Sequence, residues 1–368
     1  MESAIPNHLQ CPRTQPARAA EDYVPSYPAW AARMGVKVTQ IVMGYFGIQY
    51  KKAQANGQPA AFADKMREHF SADKGPGHFE FAHYVDEAGF DTVLAIAYWA
   101  SSASFSEWQA RSPSSTWWDS PERVGESVGY FREIFQPSAD RLETLFSTKD
   151  RSEGVARLSE HFSSEIREHG YWGGMRDRFA VAQTDALQAV GHPVAIPSER
   201  DPGRVRVLGH ENLAVIRSGQ EWTDTEGKER KLYLGKVEPI FRKGMDFLRD
   251  AGLPIGCYTN RYMDHVDAEF SAIQKRFGLS YWHSLGELES WAESHPTHAA
   301  IFGSFMKMVE EMNFDLKLRL YHEVTVVSAK DQFFEYICCH DTTGLLRGCG
   351  RQEERSVTLN ESTVDADN

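Results

Sequence analysis

YWASSASFSEWQARSP, Tyr98 to Pro113, and YWHSLGELESWAESHP, Tyr281 to Pro296, are two versions of one motif. Tyr98, Trp99, Ser101, Trp108 and Pro113 return as Tyr281, Trp282, Ser284, Trp291 and Pro296 without a gap. Tryptophan is a rare residue, so a match of two Trp, a Tyr, a Ser and a Pro at one offset argues for a chain of two related halves. Two positions past the proline the copies part, with Ser115 in the first and His298 in the second. A shared scaffold with one imidazole added is the pattern expected when one of two copies has specialised.

Outward from the motif, strand-like and helix-like segments alternate. VTQIVMGYFGIQY (38–50) is β-branched and aromatic and reads as a strand, AAFADKMREHFSA as a helix, and FEFAHYVDEAGFDTVLAIAYW as a hairpin. A short helix through Trp108 follows. A longer helix is expected from Ser120-Pro121-Glu122, serine capping and proline in the first turn, with RLETLFS (141–147) closing the half as a strand.

The second half repeats the order. RVRVLGHENLAVIRSG (204–219) is strand-like, KLYLGKVEPIFRKGMDFLRDAG is helical with Pro239 early in it, and PIGCYTNRYMDH and LSYWHS are strand candidates. A helix from Pro296 to about Glu311 then precedes the strand KLRLYHEVTVV. Strand–helix–strand–strand–helix–strand, twice, is the ferredoxin-like plan. The expected class is α+β, two ferredoxin-like halves packing their sheets into a small β-barrel with surrounding helices. The expected division is a surface tail (1–35), a first half (36–150), a second half (151–349) and a polar disordered tail (350–368). No Gly-rich phosphate loop follows any strand, which disfavours a doubly wound sheet.

A length of 368 residues fits two domains with a core each. The net charge of −12 disfavours a nucleic-acid binder, which needs a basic face. No apolar run of about 18 residues predicts a membrane span, and the N-terminal MESAIPNHLQCPRT has neither the basic start nor the apolar stretch of a signal peptide. Five irregularly spaced cysteines (Cys11, Cys257, Cys338, Cys339 and Cys349) predict reduced thiols in a cytoplasmic protein. Cys338, Cys339 and His340 are a weaker metal candidate, because adjacent cysteines chelate poorly.

Five places can carry chemistry, each with a plainer alternative. In SHPTH (294–298), Pro296 places His298 in a helix's opening turn, where the positive end of the dipole favours neutral imidazole, a metal ligand. The small residues Ala299, Ala300, Gly303 and Ser304 then allow close approach of a flat ligand; ordinary packing explains them equally well. In RLYHEV, alternation puts Leu320, His322 and Val324 on one strand face and Tyr321 and Glu323 on the other. His322 is then either a catalytic group or a hydrogen-bonded core histidine. HGYWGGMRDRF (169–179), with Arg178, is a binding loop or a linker. IRSGQ, with Arg217 and Ser218, is a site segment or a turn at a strand's end. Glu143, between leucines in LETLF, is a site carboxylate or a solvated one. Zinc held by His295, His298 and His322 is a competing idea without an HExxH-type arrangement.

Taken together, HLQCPRT, HGYWGGMRDRF, IRSGQEW, GMDFLRDAG, WAESHPTH and LRLYHEV resemble the haem-containing aldoxime dehydratases, the phenylacetaldoxime dehydratase family, over nearly the whole chain except the C-terminal tail. The resemblance implies a haem b enzyme, ferrous when active and a homodimer, that turns an aldoxime (R–CH=N–OH) into a nitrile and water. By motif, His298 matches the proximal iron ligand, His322 the distal catalytic histidine, Arg178 the arginine of the glycine-rich loop, Ser218 the serine of IRSG, and Glu143 the glutamate of the LETL-like strand. More residues stand between SHPTH and LYHEV, around EEMNFD, than the family pattern has, which affects neither histidine.

These residue types suit the chemistry. The oxime hydroxyl leaves only when protonated. His322 as imidazolium can protonate it and as imidazole remove the carbon-bound proton. Glu143 is expected to favour the charged form of His322, and Ser218 and Arg178 to hold the oxime oxygen. The alternatives are a haem peroxidase-like or chlorite-dismutase-like enzyme, with similar halves, and a non-enzymatic haem-binding protein.

Overall fold

The computed structural model of the protein describes residues 1–349; the expected disordered tail at 350–368 lies outside the described residues. In chain order the elements are β1 (Ala32–Arg33), β2 (Val42–Tyr50), α1 (Gln58–Phe70), β3 (His78–Val85), β4 (Asp91–Trp99), α2 (Ser102–Arg111), α3 (Ser114–Asp119), β5 (Gly129–Phe135), β6 (Leu142–Phe146), β7 (His161–Phe162), α4 (Gly174–Arg178), β8 (Val194–Pro197) and β9 (Arg204–Leu208). There follow β10 (Leu213–Glu221), α5 (Gly227–Leu232), α6 (Glu238–Ala251), β11 (Cys257–Val266), β12 (Ala272–Trp282), α7 (Leu285–Ser294), α8 (Pro296–Glu311), β13 (Arg319–Val327), β14 (Gln332–Ile337) and α9 (Leu346–Cys349).

Twelve strands form one antiparallel sheet in the order β6-β13-β10-β12-β11-β3-β4-β2-β5-β14-β9-β8. Within it, β5-β2-β4-β3 and β13-β10-β12-β11 each run fourth, first, third, second, with helices after the first and third strands. The halves meet where β11 pairs with β3, from Asp264↔His83 to Val266↔Phe81. The expected closed barrel is not formed by strand pairing: β6 and β8 are the two open edges of the sheet. Closure is replaced by an exchange. β6 leaves the first half to pair with β13, and β14 leaves the second to pair with β5.

The motif repeat is a structural repeat. Ser101 and Ser284 both cap helices, accepting from Ala103 and Ser104 and from Glu287 respectively. The pairing registers agree as well: Tyr45 lies opposite Glu133 and Ile96, as Arg217 lies opposite Glu323 and Leu279. Gly47 faces the ring of Phe131 and Gly219 that of Tyr321, and a Cβ on either glycine would stand about 2 Å from ring carbon. Tyr98 of the first half donates to Glu323 of the second (2.6 Å), and Tyr281 of the second to Glu133 of the first (2.6 Å).

One expected element is absent. The longer helix from Ser120 is a 3₁₀ turn (Pro121–Gly125) followed by β5. The charges in YFREIF disguised a fully buried strand: Arg132 is paired with Glu335 (2.7 Å), and Glu133 with Arg261 (2.6 Å). Upstream of Pro239 the helix starts earlier than expected, at Gly227. It passes through a π turn (Tyr233–Val237) before α6. Proline brings no N–H to the ladder, and the widened turn absorbs the missing bond.

The N-terminal segment is tied to the rest of the chain by its backbone. Glu2 bridges to Ile166, Trp30 to Phe146, and the backbones of Thr14 and Gln15 donate to the Gln183 carbonyl.

Candidate active site

The candidate residues gather on one face of the β6-β13-β10 ladder, beneath α4, α7 and α8. β13 alternates as expected. Val324 and Val326 join the apolar cluster of Trp291, Phe179 and Leu288, so His322, two residues before Val324, faces the helices. Glu323 faces inward to Tyr98 and the Val155 N–H. His322 stands directly across from Ser218 on β10 and from Leu145 on β6. Cross-strand partners on one face have Cβ atoms roughly 5 Å apart, so the Ser218 hydroxyl and the His322 ring serve one volume. Both are half-buried, and neither side chain makes a hydrogen bond to another described residue. Ser218 is in mid-strand, not at a strand's end. Gly219, read as a turn signal, is there because Tyr321 fills its side-chain space.

Glu143 faces Val324 on β6, one step along the same face. It is buried, not solvated, and Arg178 grips it with two parallel hydrogen bonds, Nε to Oε2 at 2.6 Å and Nη2 to Oε1 at 3.0 Å. Burial pushes the Glu143 carboxyl up, and the Arg178 fork opposes it. Arg178 also donates from Nη1 to the Glu168 carbonyl (2.9 Å). The expectation that Glu143 raises the pKa of His322 is therefore not met. Burial, then the positive charges of Arg178 and His298, bring His322 down to about 4. It is a neutral imidazole at pH 7.

His298 is the third residue of α8, as the proline implied. Burial lowers its pKa, opposed by the Ala292 carbonyl, yet Nδ1 makes no hydrogen bond of normal geometry. Trp291 packs on the ring (4.8 Å, 62°) and Trp172 approaches from the loop (5.7 Å). Trp291 entered the sequence reading only as a repeat marker; its second role has no signal without the fold. His295 is the helix cap, accepting from the Thr297 N–H, and stacks on Phe247, so it does not join His298 and His322 as a zinc ligand.

These features fit a haem. His298 is an imidazole with an orphaned nitrogen. The adjoining surface of α8 is apolar and open: Ala299 and Ala300 are exposed, Phe302 is 44% and Trp172 45% exposed, and a Cβ on Gly303 would touch nothing within 4 Å. Two exposed aromatics in mutual contact form an apolar patch of the kind that marks a binding surface.

The first half has the same frame with its site filled. The shared registers put Phe46 where the second half has Ser218, and Arg132 where it has His322. Phe46 packs against Trp108 (6.2 Å) and Trp118 (5.9 Å), and Arg132 lies over Trp118, paired with Asp119 and Glu335.

The other candidates are structural. All five cysteines are free, and among the described residues no group of His, Cys, Asp or Glu is arranged to hold a metal. His340 pairs with Asp86 (2.7 Å) in a cleft of about 250 Å³ at the seam of the halves, and none of Glu143, Arg178, Ser218, His298 and His322 lines it.

The sequence model of the haem-containing dehydratases matches residues 44–345. An aliphatic aldoxime dehydratase of Pseudomonas chlororaphis is 44% identical over 353 residues, 94% of this chain and 98% of that one. A phenylacetaldoxime dehydratase of Bacillus sp. is 31% identical, over 89% and 93%. A crystal structure of an aldoxime dehydratase in complex with butyraldoxime has a TM-score of 0.90 at 42% identity, covering 95% of this chain and 96% of that one. The chain belongs to the family of haem-containing dehydratases, and it is a lyase with haem as its cofactor.

Proposed function

We propose that the enzyme dehydrates aldoximes, R–CH=N–OH to R–C≡N and water, with aliphatic R preferred. The observation that carries this is the cross-strand pair Ser218–His322, whose side chains make no hydrogen bond to another described residue, with His298 near enough to His322 for its charge to be felt there. The preference for aliphatic R rests on the higher identity to aliphatic aldoxime dehydratases, 44% against 31% for the phenylacetaldoxime enzyme.

His298 would hold the haem, whose iron, when bound, would supply electron density to the oxime. The reaction breaks a C–H and an N–O bond and forms the second π bond of the nitrile. The proton lost by carbon is the one oxygen gains, so a single neutral imidazole suffices. His322 takes the carbon-bound proton and delivers it to the departing hydroxyl. The Ser218 hydroxyl and Arg178 hold the oxime oxygen while charge develops on it. Glu143 fixes the guanidinium through its two-point grip and neutralises it.

Each half is read as a ferredoxin-like unit; the fourth-first-third-second order supports this. The first half is taken as residues 36–150 and the second as 151–349. A homodimer is proposed on the exposed Val194, Ile196 and Leu208 at the sheet edge, and a reducing, cytoplasmic location on five unpaired cysteines. No helix among the described residues is long and apolar enough to cross a membrane.

Dithionite-reduced, haem-loaded protein is incubated anaerobically with butyraldoxime or phenylacetaldoxime, and nitrile is measured. Butyronitrile formation at the higher kcat/KM is expected. No nitrile from either substrate overturns the reading. Peroxide- or chlorite-dependent turnover in place of nitrile formation would establish the alternative haem chemistry, which the dehydratase relatives disfavour.

A further inference from the structure

We propose that Asp177 is a positioning residue for the reaction: it ties the loop that carries Arg178 to the N-terminal strap and so fixes where the guanidinium points. The proposal rests on the reading of Arg178 as a ligand of the oxime oxygen.

Residues 168–178 are held on two sides. On one side Trp172 meets His298 and Phe302. On the other lies the strap. Asp177, 2% exposed, accepts from the backbone N–H of Arg18 (2.8 Å) and of Ala19 (3.2 Å) and from the Tyr171 hydroxyl (2.9 Å), all on Oδ2. Arg13 donates to the Asp177 carbonyl (3.2 Å). Tyr23 donates to the His169 carbonyl (2.9 Å), and the Glu168 carboxylate takes the Ala4 N–H (2.7 Å) while its carbonyl receives Arg178. The glycines of the loop serve the same contact. Gly173 has φ +93° and a Cβ there would meet the Arg18 side chain at 2.6 Å; Gly170 has φ +80° and would meet the Tyr23 hydroxyl at 2.7 Å. The loop's shape is thus matched to the strap.

Helix α4 is one turn and a residue long, too short to hold its own orientation. Its last residue is Arg178, and its only multiply bonded carboxylate is the neighbour of Arg178. A carboxylate that receives three donors from the strap and the loop sets the backbone from which Arg178 reaches Glu143. Small misplacements of a group that binds the transition state are costly in rate.

The test uses haem-loaded enzyme and butyraldoxime. Asp177→Asn places an NH₂ among donors. It is expected to keep the Soret spectrum and haem content and to change KM by less than about three-fold, while kcat falls about 10- to 100-fold. Trypsin should cut faster after Arg13 and Arg18, since the strap loses its anchor. If the residue acts through Arg178, Asp177→Asn adds nothing to Arg178→Lys; independent effects would multiply. Tyr171→Phe, which removes one donor and keeps the ring, should give a smaller loss of kcat that also vanishes in the Arg178→Lys background. It serves where Asp177→Asn does not fold. Parental kcat in Asp177→Asn or, failing that variant, in Tyr171→Phe overturns the proposal, as does a multiplicative loss in the double variant. Parental kcat in Arg178→Lys instead sinks the reading of Arg178 and leaves the tryptic result to report on the strap alone.

Discussion

Arg178 and Glu143 form a buried two-point ion pair, 2.6 Å and 3.0 Å, on the same sheet face as His322 and one step along it. The carboxylate is committed to the guanidinium, so its influence on His322 is exerted through Arg178 and not directly. Glu143→Gln leaves Arg178 charged, buried and without its counter-ion. Breaking a buried pair by removing one partner costs about 3 kcal/mol. Thermal unfolding should fall markedly and turnover with it. A variant of parental stability and parental kcat would show that the pair is dispensable.

His322 has a pKa lowered to about 4 by burial and by Arg178 and His298. Its neutral form, the one that can take the carbon-bound proton, is present above that value and is lost as pH falls through it. The free-enzyme pH profile, kcat/KM, should therefore be level from neutrality down to about pH 5 on account of this group and fall below. His322→Ala should keep haem and still shift the ferrous Soret band when aldoxime is added, yet form almost no nitrile. Near-parental nitrile formation would move the acid–base role elsewhere.

His298 makes no hydrogen bond through Nδ1 that the fold needs. His298→Ala should express as a folded protein, by circular dichroism, with no Soret band. Full haem retention would assign the iron to another ligand.

Much of this was legible in the sequence, and the rest was hidden for identifiable reasons. Pro296 announced the start of α8 to the residue, and alternation along RLYHEV placed His322 and Glu323 on opposite faces correctly. The duplicated motif revealed the two halves because its Ser, Trp and Pro do local work, capping and packing, that sequence spacing records. β5 was hidden because Arg132 and Glu133 are buried charges whose partners, Glu335 and Arg261, are far along the chain. The exchange of β6 and β14 between halves was equally hidden, since edge pairing is decided by which strand is near in space. The expected barrel followed from packing together the sheets of two self-contained halves, with LETLF as the last strand of the first. Gly219 looked like a turn because a glycine opened by a neighbour's ring and a glycine opened by a turn are the same letter.

Three buried histidines away from the His298–His322 face give a stability prediction. His69, His210 and His265 are each 4% exposed or less, and burial brings each down to about 4. In the unfolded chain they titrate near 6.5. The folded form then binds fewer protons between those values, so its stability is complete above about pH 6.5 and is lost as pH falls toward 4. His69, with both ring nitrogens unpartnered, is the clearest case. A group so depressed contributes up to about 3 kcal/mol of this loss. Urea unfolding at pH 7.5 and pH 5 should show the decline, and His69→Phe should flatten part of it. An equal slope in that variant would mean that His69 is already solvated when the protein is acidified.

The filled site of the first half supplies the last prediction. Ser115 stands where the second half has His298, and it donates to the Gln109 carbonyl (2.8 Å). If one imidazole were all that separated the halves, Ser115→His would create a second haem site. The geometry argues otherwise. Phe46 occupies the position of Ser218 and packs between Trp108 and Trp118; Arg132 occupies that of His322 and is fixed by Asp119 and Glu335. Trp99 and Phe105 close the cluster further, at 4.9 Å from one another. A macrocycle would have to displace several rings that each bury 150–250 Å² or so. Ser115→His should therefore bind one haem per chain, with the parental Soret maximum, in a pyridine haemochrome titration. A second equivalent bound by this single variant would show that the aromatic filling yields, and that His298 alone distinguishes the working half from its copy.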